Sequence, residues 1–209
     1  MGLIDAGEVP NTIEDFVNHY MPKIVFSLPT DETIDLVYGA EYPNKGTVYL
    51  QGIRSGLVSE DSLPSCEYHG MKTTYAQCLA KDVSVEIATA SAVVSLPSSR
   101  NDVDPYREEI LQKCSANLLE GSFSRKGERK AANGGTVEDM INEFDYRPAG
   151  NEADIETIII VDESIATGKS VAAALFHLRE AGLPQDCKVV VAVWGLLSSR
   201  GSVSSPVVS

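Results

Sequence analysis

The chain has 209 residues, of which 43% are hydrophobic and 22% charged, the proportions of an ordinary globular protein. Its net charge of −13 argues against general nucleic-acid binding, because an acidic surface repels a phosphate backbone. No stretch approaches the roughly 18 uninterrupted apolar residues of a membrane span. The opening residues, MGLIDAGEVP, lack the basic and apolar regions of a secretory signal, so we expect a cytoplasmic protein without a membrane partner.

The first ninety residues contain short helical and strand-like runs that proline and glycine separate. Cap candidates followed by apolar residues at helical spacing predict a helix over Asn11–Tyr20. Runs rich in β-branched and aromatic residues predict strands, and one of them, Gly46–Ile53, leads into Arg54-Ser55-Gly56. The predicted strands are Lys23–Leu28, Thr33–Tyr38, Gly46–Ile53 and Ala92–Leu96, with a helix near Lys72–Lys81 before the last of them.

The second half has the clearest pattern. Pro105–Glu120 is predicted to be a helix, since proline suits the first turn and apolar residues line one face. Gly121–Glu156 is polar and rich in glycine, interrupted by a short amphipathic piece at Val137–Phe144. A βαβ unit of the parallel-sheet type follows, because its strands are apolar throughout. Its parts are Thr157–Val161, Lys169–Ala181 closed by Gly182, and Lys188–Trp194.

The turn inside this βαβ unit carries the chemistry. It reads DESIATGKS from Asp162 to Ser170. Backbone N–H groups at the start of a helix attract an anion, the hydroxyls of Thr167 and Ser170 can donate to a phosphate, and Gly168 allows close approach. Asp162 and Glu163 can accept hydrogen bonds from sugar hydroxyls, so the pattern favours a sugar phosphate over a bare phosphate.

Two other interpretations were weighed for this turn. Gly168-Lys169-Ser170 matches the end of a Walker A loop, but Glu163 stands where that loop requires glycine. A carboxylate in the cradle would repel nucleotide phosphates. The other alternative is an ordinary strand-to-helix turn with an acidic cap.

A structural zinc site is not predicted, because the four cysteines form no CxxC pair and Cys66 and His69 have no second pair at a zinc spacing.

The segment IIIVDESIATGKS, Ile158–Ser170, resembles the phosphoribosyl-pyrophosphate motif of type I phosphoribosyltransferases: apolar residues, two acids, a short small or apolar run, then Thr-Gly-x-Ser. The second acid is usually aspartate and is Glu163 here; Lys169 stands where a small residue is common. The resemblance implies an α/β fold with a central, mostly parallel sheet flanked by helices. Residues 91–197 would form this core, residues 1–90 an N-terminal extension serving as a hood or a partner-binding region, and residues 198–209 a flexible tail.

The family also has a pyrophosphate-binding loop after an earlier strand, and two segments could supply it. One is the loop at Arg54; the other, which we favour, is Leu96-Pro97-Ser98-Ser99-Arg100, whose arginine lies 62 residues before Asp162. The second segment resembles the proline-rich loop of the ComF-like branch. A flexible basic loop of the family would correspond to Ser124–Lys130, continuing to Asn133-Gly134, in a stretch from Ser122 to Lys130 with a local charge of +3.

The resemblance therefore implies a protein that binds phosphoribosyl pyrophosphate or a related ribose phosphate. As a phosphoribosyltransferase of the glycosyltransferase class, it would transfer the phosphoribosyl group to an unidentified nitrogen base and release pyrophosphate. The alternative is a catalytically inactive sensor or effector subunit that binds a nucleotide or phosphoribosyl pyrophosphate and acts through a protein partner. A homo-oligomer or a subunit of a complex is expected. A bound Mg²⁺ would lie near Asp162 and Glu163. The expected catalytic residues are Asp162, Glu163, Arg100 and Arg125, and the expected ligand-binding residues are Ala166, Thr167, Gly168, Lys169, Ser170, Ser98, Ser99 and Lys126.

Overall fold

The computed structural model describes residues 23–42, 77–84 without 78 and 82, 91–97, 104–114, 116–126 and 135–197. In chain order its strands and helices are β1 Lys23–Ser27, β2 Thr33–Tyr42, β3 Ser91–Ser95, α1 Asp104–Cys114, β4 Asn117–Leu118, β5 Ser122–Arg125, α2 Val137–Glu143, β6 Phe144–Arg147, β7 Thr157–Ile165, α3 Lys169–Glu180 and β8 Lys188–Leu197. A short 3₁₀ turn, Glu152–Asp154, precedes β7. The predicted helix at Asn11–Tyr20, the strand at Gly46–Ile53 and the tail lie outside the described residues.

Six of the strands form one mixed sheet in the order β1-β2-β8-β7-β3-β4. Only β1 runs antiparallel, pairing with β2; the other neighbours are parallel. The predicted fold class, an α/β protein with a mostly parallel central sheet flanked by helices, is confirmed. No helix in the part of the chain that the structure describes is long and apolar enough to span a membrane.

The central strands are buried on both faces, which explains their uninterrupted apolar sequences. Ile158, Ile159 and Ile160 of β7 are all fully buried, although neighbouring side chains of a strand point to opposite faces. Ile158 and Ile160 belong to the core that includes α3 and α2. The opposite face is the side of α1, which contacts β3 and contributes the buried Ile110. Each buried isoleucine contributes about 1.5–3 kcal/mol of hydrophobic stabilisation.

Helix α3 joins β7 to β8 and ends as its sequence predicts. Gly182 adopts φ +109°, a conformation that glycine reaches without strain. The N–H of Gly182 donates to the carbonyl of Arg179, and the N–H of Leu183 donates to the carbonyl of Leu178. These two bonds are the Schellman arrangement, in which the buried Leu178 and Leu183 complete an apolar contact. The helix end therefore follows from local sequence alone.

Helix α1 is shorter than predicted, since it ends at Cys114 and not at Glu120. The last residues of the predicted helix instead form β4, which pairs with β3 through Ala92 and Val93. The backbone N–H of Leu119 donates to the carbonyl of Val93, and Leu119 is buried. The free edge of β3 thus overrides the helical preference of this segment.

The polar segment Gly121–Glu156 contains more regular structure than its composition suggests. Strands β5 and β6 form a second, antiparallel sheet, and α2 lies between them in the chain. A capping box starts α2: the side chain of Thr136 accepts from the N–H of Asp139, and the Asp139 carboxylate accepts from the N–H of Thr136. Phe144, which is fully buried, packs near Phe123. We call residues 122–126 and 135–147 the α2 unit.

The segment predicted as an N-terminal extension also contributes to the sheet. Strands β1 and β2 match the predicted strands closely, and β2 pairs in parallel with β8 from Asp35 to Tyr42. Residues 23–42 therefore belong to the same sheet as the predicted core. The function of residues 1–90 as a hood or a partner-binding region stays a prediction.

Candidate functional site

The order of the strands creates a topological switch point between β3 and β7. From β7 the chain passes through α3 to β8 on one side, whereas from β3 it passes through α1 to β4 on the other side. The two connections diverge at the carboxyl ends of neighbouring parallel strands, the arrangement that forms a crevice in open α/β sheets. In open α/β sheets, ligands bind in such a crevice.

The carboxyl end of β7 contributes the two predicted acidic residues. The strand extends to Ile165, four residues beyond its predicted end at Val161. Asp162, Glu163 and Ser164 are half-buried, in contrast to the buried residues before them. The Asp162 Oδ1 accepts a hydrogen bond from the N–H of Glu163 at 2.8 Å. Because both acids lie within a strand, their side chains point to opposite faces of the sheet.

The loop between β7 and α3 is only three residues long, Ala166–Gly168. Ala166 and Thr167 are exposed, and Gly168 is buried with φ +74°. A Cβ on Gly168 would lie 2.7 Å from Leu28 Cδ2 and 2.9 Å from Phe26 Cε1. Glycine is therefore needed both for the backbone conformation and for the contact with the end of β1.

The amino terminus of α3 opens at this loop. The first backbone bond of the helix joins the N–H of Ala172 to the carbonyl of Gly168. Since glycine has no side chain, residue 168 cannot cap the N–H groups of Lys169, Ser170 and Val171. Together with the dipole of a 12-residue helix, these groups favour an anion at this end of the sheet.

Lys169, expected to bind the ligand, contacts the backbone of the α2 unit. Its half-buried ammonium donates to the carbonyl of Gly135 at 2.6 Å. The pKa of the nearby Asp139 is lowered chiefly by its hydrogen bonds with Thr136, and the positive charge of Lys169 adds to the effect.

Arg125, expected to be catalytic, is also engaged with neighbouring groups. Its Nε donates to the carbonyl of Pro97 at 3.0 Å, and its Nη1 lies 3.1 Å from the Glu143 carboxylate. The guanidinium also lies over the ring of Phe144 at 5.0 Å. Lys126, by contrast, is exposed and forms an ion pair of 3.4 Å with the exposed Asp145, a type of contact that contributes little.

Ser98, Ser99, Arg100 and Arg54 lie outside the described residues. The first two residues of the favoured pyrophosphate segment, Leu96 and Pro97, are described and directly follow β3. The N–H of Leu96 donates to the carbonyl of Val161, which places the start of this segment against the end of β7.

Sequence reasoning missed two residues near the crevice. Glu143, which binds Arg125, is buried in α2; its spacing of three from the buried Met140 on the same helix face was the available signal. The hydroxyl of Ser95, at the end of β3, is buried and finds no hydrogen-bond partner among the described residues. No local pattern distinguishes Ser95 from any other strand serine.

The described residues contain no group of three or more histidine, cysteine, aspartate or glutamate side chains that could hold a metal ion. Mg²⁺, however, is commonly bound by one or two carboxylates together with substrate phosphates and water. The carboxylates of Asp162 and Glu163 fit this type of site in their chemistry.

No family model matches the sequence, and no curated protein matches it. Among solved structures, the chain is similar to a hypoxanthine phosphoribosyltransferase from Staphylococcus aureus, with 10% sequence identity, a TM-score of 0.39 and coverage of 64% of this chain and 68% of that chain. The strand order and the helices of this chain themselves define its α/β architecture.

Proposed function

We propose that the crevice between β3 and β7 binds phosphoribosyl pyrophosphate or a related ribose phosphate. The switch point carries this proposal. The two segments that resemble the ribose-phosphate motif and the pyrophosphate loop follow β7 and β3, the two neighbouring strands at which the chain diverges. Sequence similarity supplied the motifs independently of the strand order, so their meeting at one crevice supports a single site.

Each part of the ligand has a proposed partner. The 5-phosphate would accept hydrogen bonds from the first N–H groups of α3 and from the hydroxyls of Thr167 and Ser170, at the loop Ala166–Gly168. The ribose hydroxyls would donate to Asp162, with Glu163 as a second acceptor. The pyrophosphate would contact the segment of Ser98, Ser99 and Arg100. The alternative segment at Arg54 lacks the support of following β3.

The proposed reaction is transfer of the phosphoribosyl group to a nitrogen base. The bond between C1 of the ribose and the pyrophosphate oxygen breaks, a bond from C1 to the base nitrogen forms, and the leaving pyrophosphate takes the electron pair. Positive groups around the pyrophosphate would stabilise its developing charge. A bound Mg²⁺, held beside Asp162 or Glu163, would supply further neutralisation of the pyrophosphate.

A sensor or effector subunit without turnover is the second candidate. The observation that favours it is Glu163 itself, which stands where the resembled motif usually has aspartate and whose longer side chain shifts the carboxylate by about one methylene. The nitrogen base, a cytoplasmic location, and assembly as a homo-oligomer or as a subunit of a complex stay predictions.

A thermal-shift measurement with phosphoribosyl pyrophosphate and Mg²⁺ tests the binding site. A ligand at 100 times its dissociation constant stabilises a protein by about 2.7 kcal/mol. Asp162→Asn keeps the Oδ1 that accepts from the N–H of Glu163, so the variant should fold normally but lose the ligand-induced shift. Asp186→Asn is the matched control, because Asp186 is exposed in the loop before β8, at the opposite edge of the sheet.

The binding proposal is wrong if the wild-type protein shows no shift with any ribose phosphate, or if Asp162→Asn and Asp186→Asn respond equally to phosphoribosyl pyrophosphate. Pyrophosphate release, measured with a panel of nitrogen bases, separates the two candidate functions. Release that Asp162→Asn abolishes identifies a transferase. Binding without release supports the sensor.

A further inference from the structure

Two cations of the described residues, Lys169 and Arg125, connect the α2 unit to the loops that follow β7 and β3. Lys169 follows the loop after β7, and its ammonium reaches across to the carbonyl of Gly135 at 2.6 Å. Arg125 belongs to the α2 unit, and its Nε reaches across to the carbonyl of Pro97, in the segment after β3, at 3.0 Å. One cation therefore connects the α2 unit to each of the two loops at the switch point.

These two contacts hold opposite ends of helix α2. Gly135 directly precedes Thr136, the residue that caps the amino end of the helix. Glu143 is the last residue of α2; its carboxylate binds Arg125, and its carbonyl accepts from the N–H of Lys126 at 2.7 Å. The amino end of α2 is thus tied to the β7 loop and the carboxyl end to the β3 loop.

The surroundings of both cations suit a structural contact. The Arg125 and Glu143 side chains are only 17% and 10% exposed, so their charges compensate each other largely out of water. Phe144 packs against the guanidinium from a third direction. An ammonium bonded to a backbone carbonyl at 2.6 Å makes a charge-assisted bond, which is about twice as strong as a neutral one.

We propose that Lys169 and Arg125 are positioning residues, which hold the α2 unit against the two loops of the switch point, and that neither binds a phosphate directly. Lys169 acts through the carbonyl of Gly135. Arg125 acts through the carbonyl of Pro97 and the carboxylate of Glu143. Any consequence for ligand affinity rests on the proposed function, whereas the anchoring itself does not.

Amide hydrogen exchange of the ligand-free protein tests the anchoring by Lys169. The N–H of Met140 donates to the carbonyl of Thr136 in the first turn of α2 and reports on the amino end of the helix. Lys169→Met should accelerate exchange at Met140 about tenfold or more, the effect of losing one charge-assisted bond. Lys169→Arg, which can still donate to Gly135, should restore slow exchange. Lys126→Met, the loss of an exposed lysine in the same unit, is the matched control and should change exchange at Met140 less than twofold.

Arg125 requires a paired variant, because Arg125→Met alone would leave the Glu143 carboxylate buried without its partner. The double variant Arg125→Met, Glu143→Gln removes both charges together. It should fold and should accelerate exchange at the N–H of Lys126, which reports on the carboxyl end of α2, about tenfold or more. Unchanged exchange at Lys126 in a folded double variant overturns the assignment of Arg125.

If Lys169 bound a phosphate of the ligand and did not anchor the α2 unit, the Lys169→Met variant would give the opposite results. Lys169→Met would then leave exchange in the ligand-free protein unchanged and would reduce the salt dependence of the dissociation constant for phosphoribosyl pyrophosphate, since one charge pair is lost. That pair of results overturns the proposal. If wild-type protein does not bind phosphoribosyl pyrophosphate at all, the proposed function fails, while the exchange measurements still decide the anchoring.

Discussion

Replacement of Gly168 by alanine tests the packing of the candidate ligand loop against β1. The backbone at residue 168 has φ +74°, which costs an alanine about 1–2 kcal/mol. The added Cβ would also lie 2.7 Å from Leu28 Cδ2 and 2.9 Å from Phe26 Cε1. Carbon atoms normally approach to about 3.5–4.0 Å, so both side chains must move by close to 1 Å.

The size of the effect depends on how easily these two side chains can move. Leu28 is 3% exposed and belongs to the main core, and Phe26 packs against that core. Overpacking of such a site costs about 1–3 kcal/mol. Added to the backbone term, Gly168→Ala should lower the free energy of unfolding by about 2–5 kcal/mol, a large part of the roughly 5–15 kcal/mol of a typical domain.

Gly150→Ala separates the two contributions. Gly150 has a comparable φ of +88°, but a Cβ placed on it meets no atom within 4 Å. Gly150→Ala should therefore lower the free energy of unfolding by only the backbone contribution of about 1–2 kcal/mol. Urea unfolding of the wild-type protein and both variants gives the free energies from the midpoints and slopes. The reasoning is refuted if Gly168→Ala is no more destabilising than Gly150→Ala.

Two further predictions concern ionisable groups, the buried Glu152 and the half-buried Cys114. Although burial opposes ionisation of Glu152, hydrogen bonds from Tyr146 and from the N–H groups of Ala149 and Gly150 lower the pKa of its carboxyl group overall. Because the pKa is lowered, ionised Glu152 stabilises the fold at pH values above 4.5, the ordinary pKa of a glutamate. This stabilisation is lost as the pH falls through the pKa of the folded protein. Glu152→Gln should therefore lower the urea midpoint of unfolding at pH 7, and the difference in midpoint between variant and wild type should become smaller at pH 3. A difference in midpoint that is the same at both pH values would contradict this. Burial raises the pKa of Cys114 from 9.0 to about 11. Because the thiolate is the reactive form, alkylation of Cys114 by iodoacetamide at pH 8 should be about a hundredfold slower in the folded protein than in urea. Mass spectrometry measures the two rates, and equal rates would refute this prediction.

Local sequence was sufficient to predict the elements whose stability is set within a few residues. The apolar run from Ile158 to Val161 predicted a buried strand, and the glycine at residue 182 predicted the end of α3. Both features depend on side-chain hydrophobicity and backbone conformational freedom, which are properties of the residues themselves. The parallel sheet followed from the same information, because strands that are apolar on both faces require helices on both sides.

Features that depend on pairing between distant segments could not be predicted. The carboxyl part of the predicted helix Pro105–Glu120 became β4 because the edge of β3 was available to pair with it. The extension of β7 through Asp162 and Glu163 depends on the adjacent β8, which pairs with it as far as Ile165. That pairing converts two neighbouring acids of an expected turn into strand residues that face opposite sides.

The sequence alone therefore determined the local strand and helix on either side of the turn in Ile158–Ser170, the segment that resembles a ribose-phosphate motif. Only the tertiary structure decided that the segments after β3 and β7 share a switch point, and that Lys169 and Arg125 contact backbone carbonyls. The reason is physical. A motif is a property of consecutive residues, whereas the partner of a charged side chain depends on which segments the strand order brings together. Every residue has a backbone carbonyl, so the sequence does not show which carbonyl will accept a hydrogen bond from a given side chain.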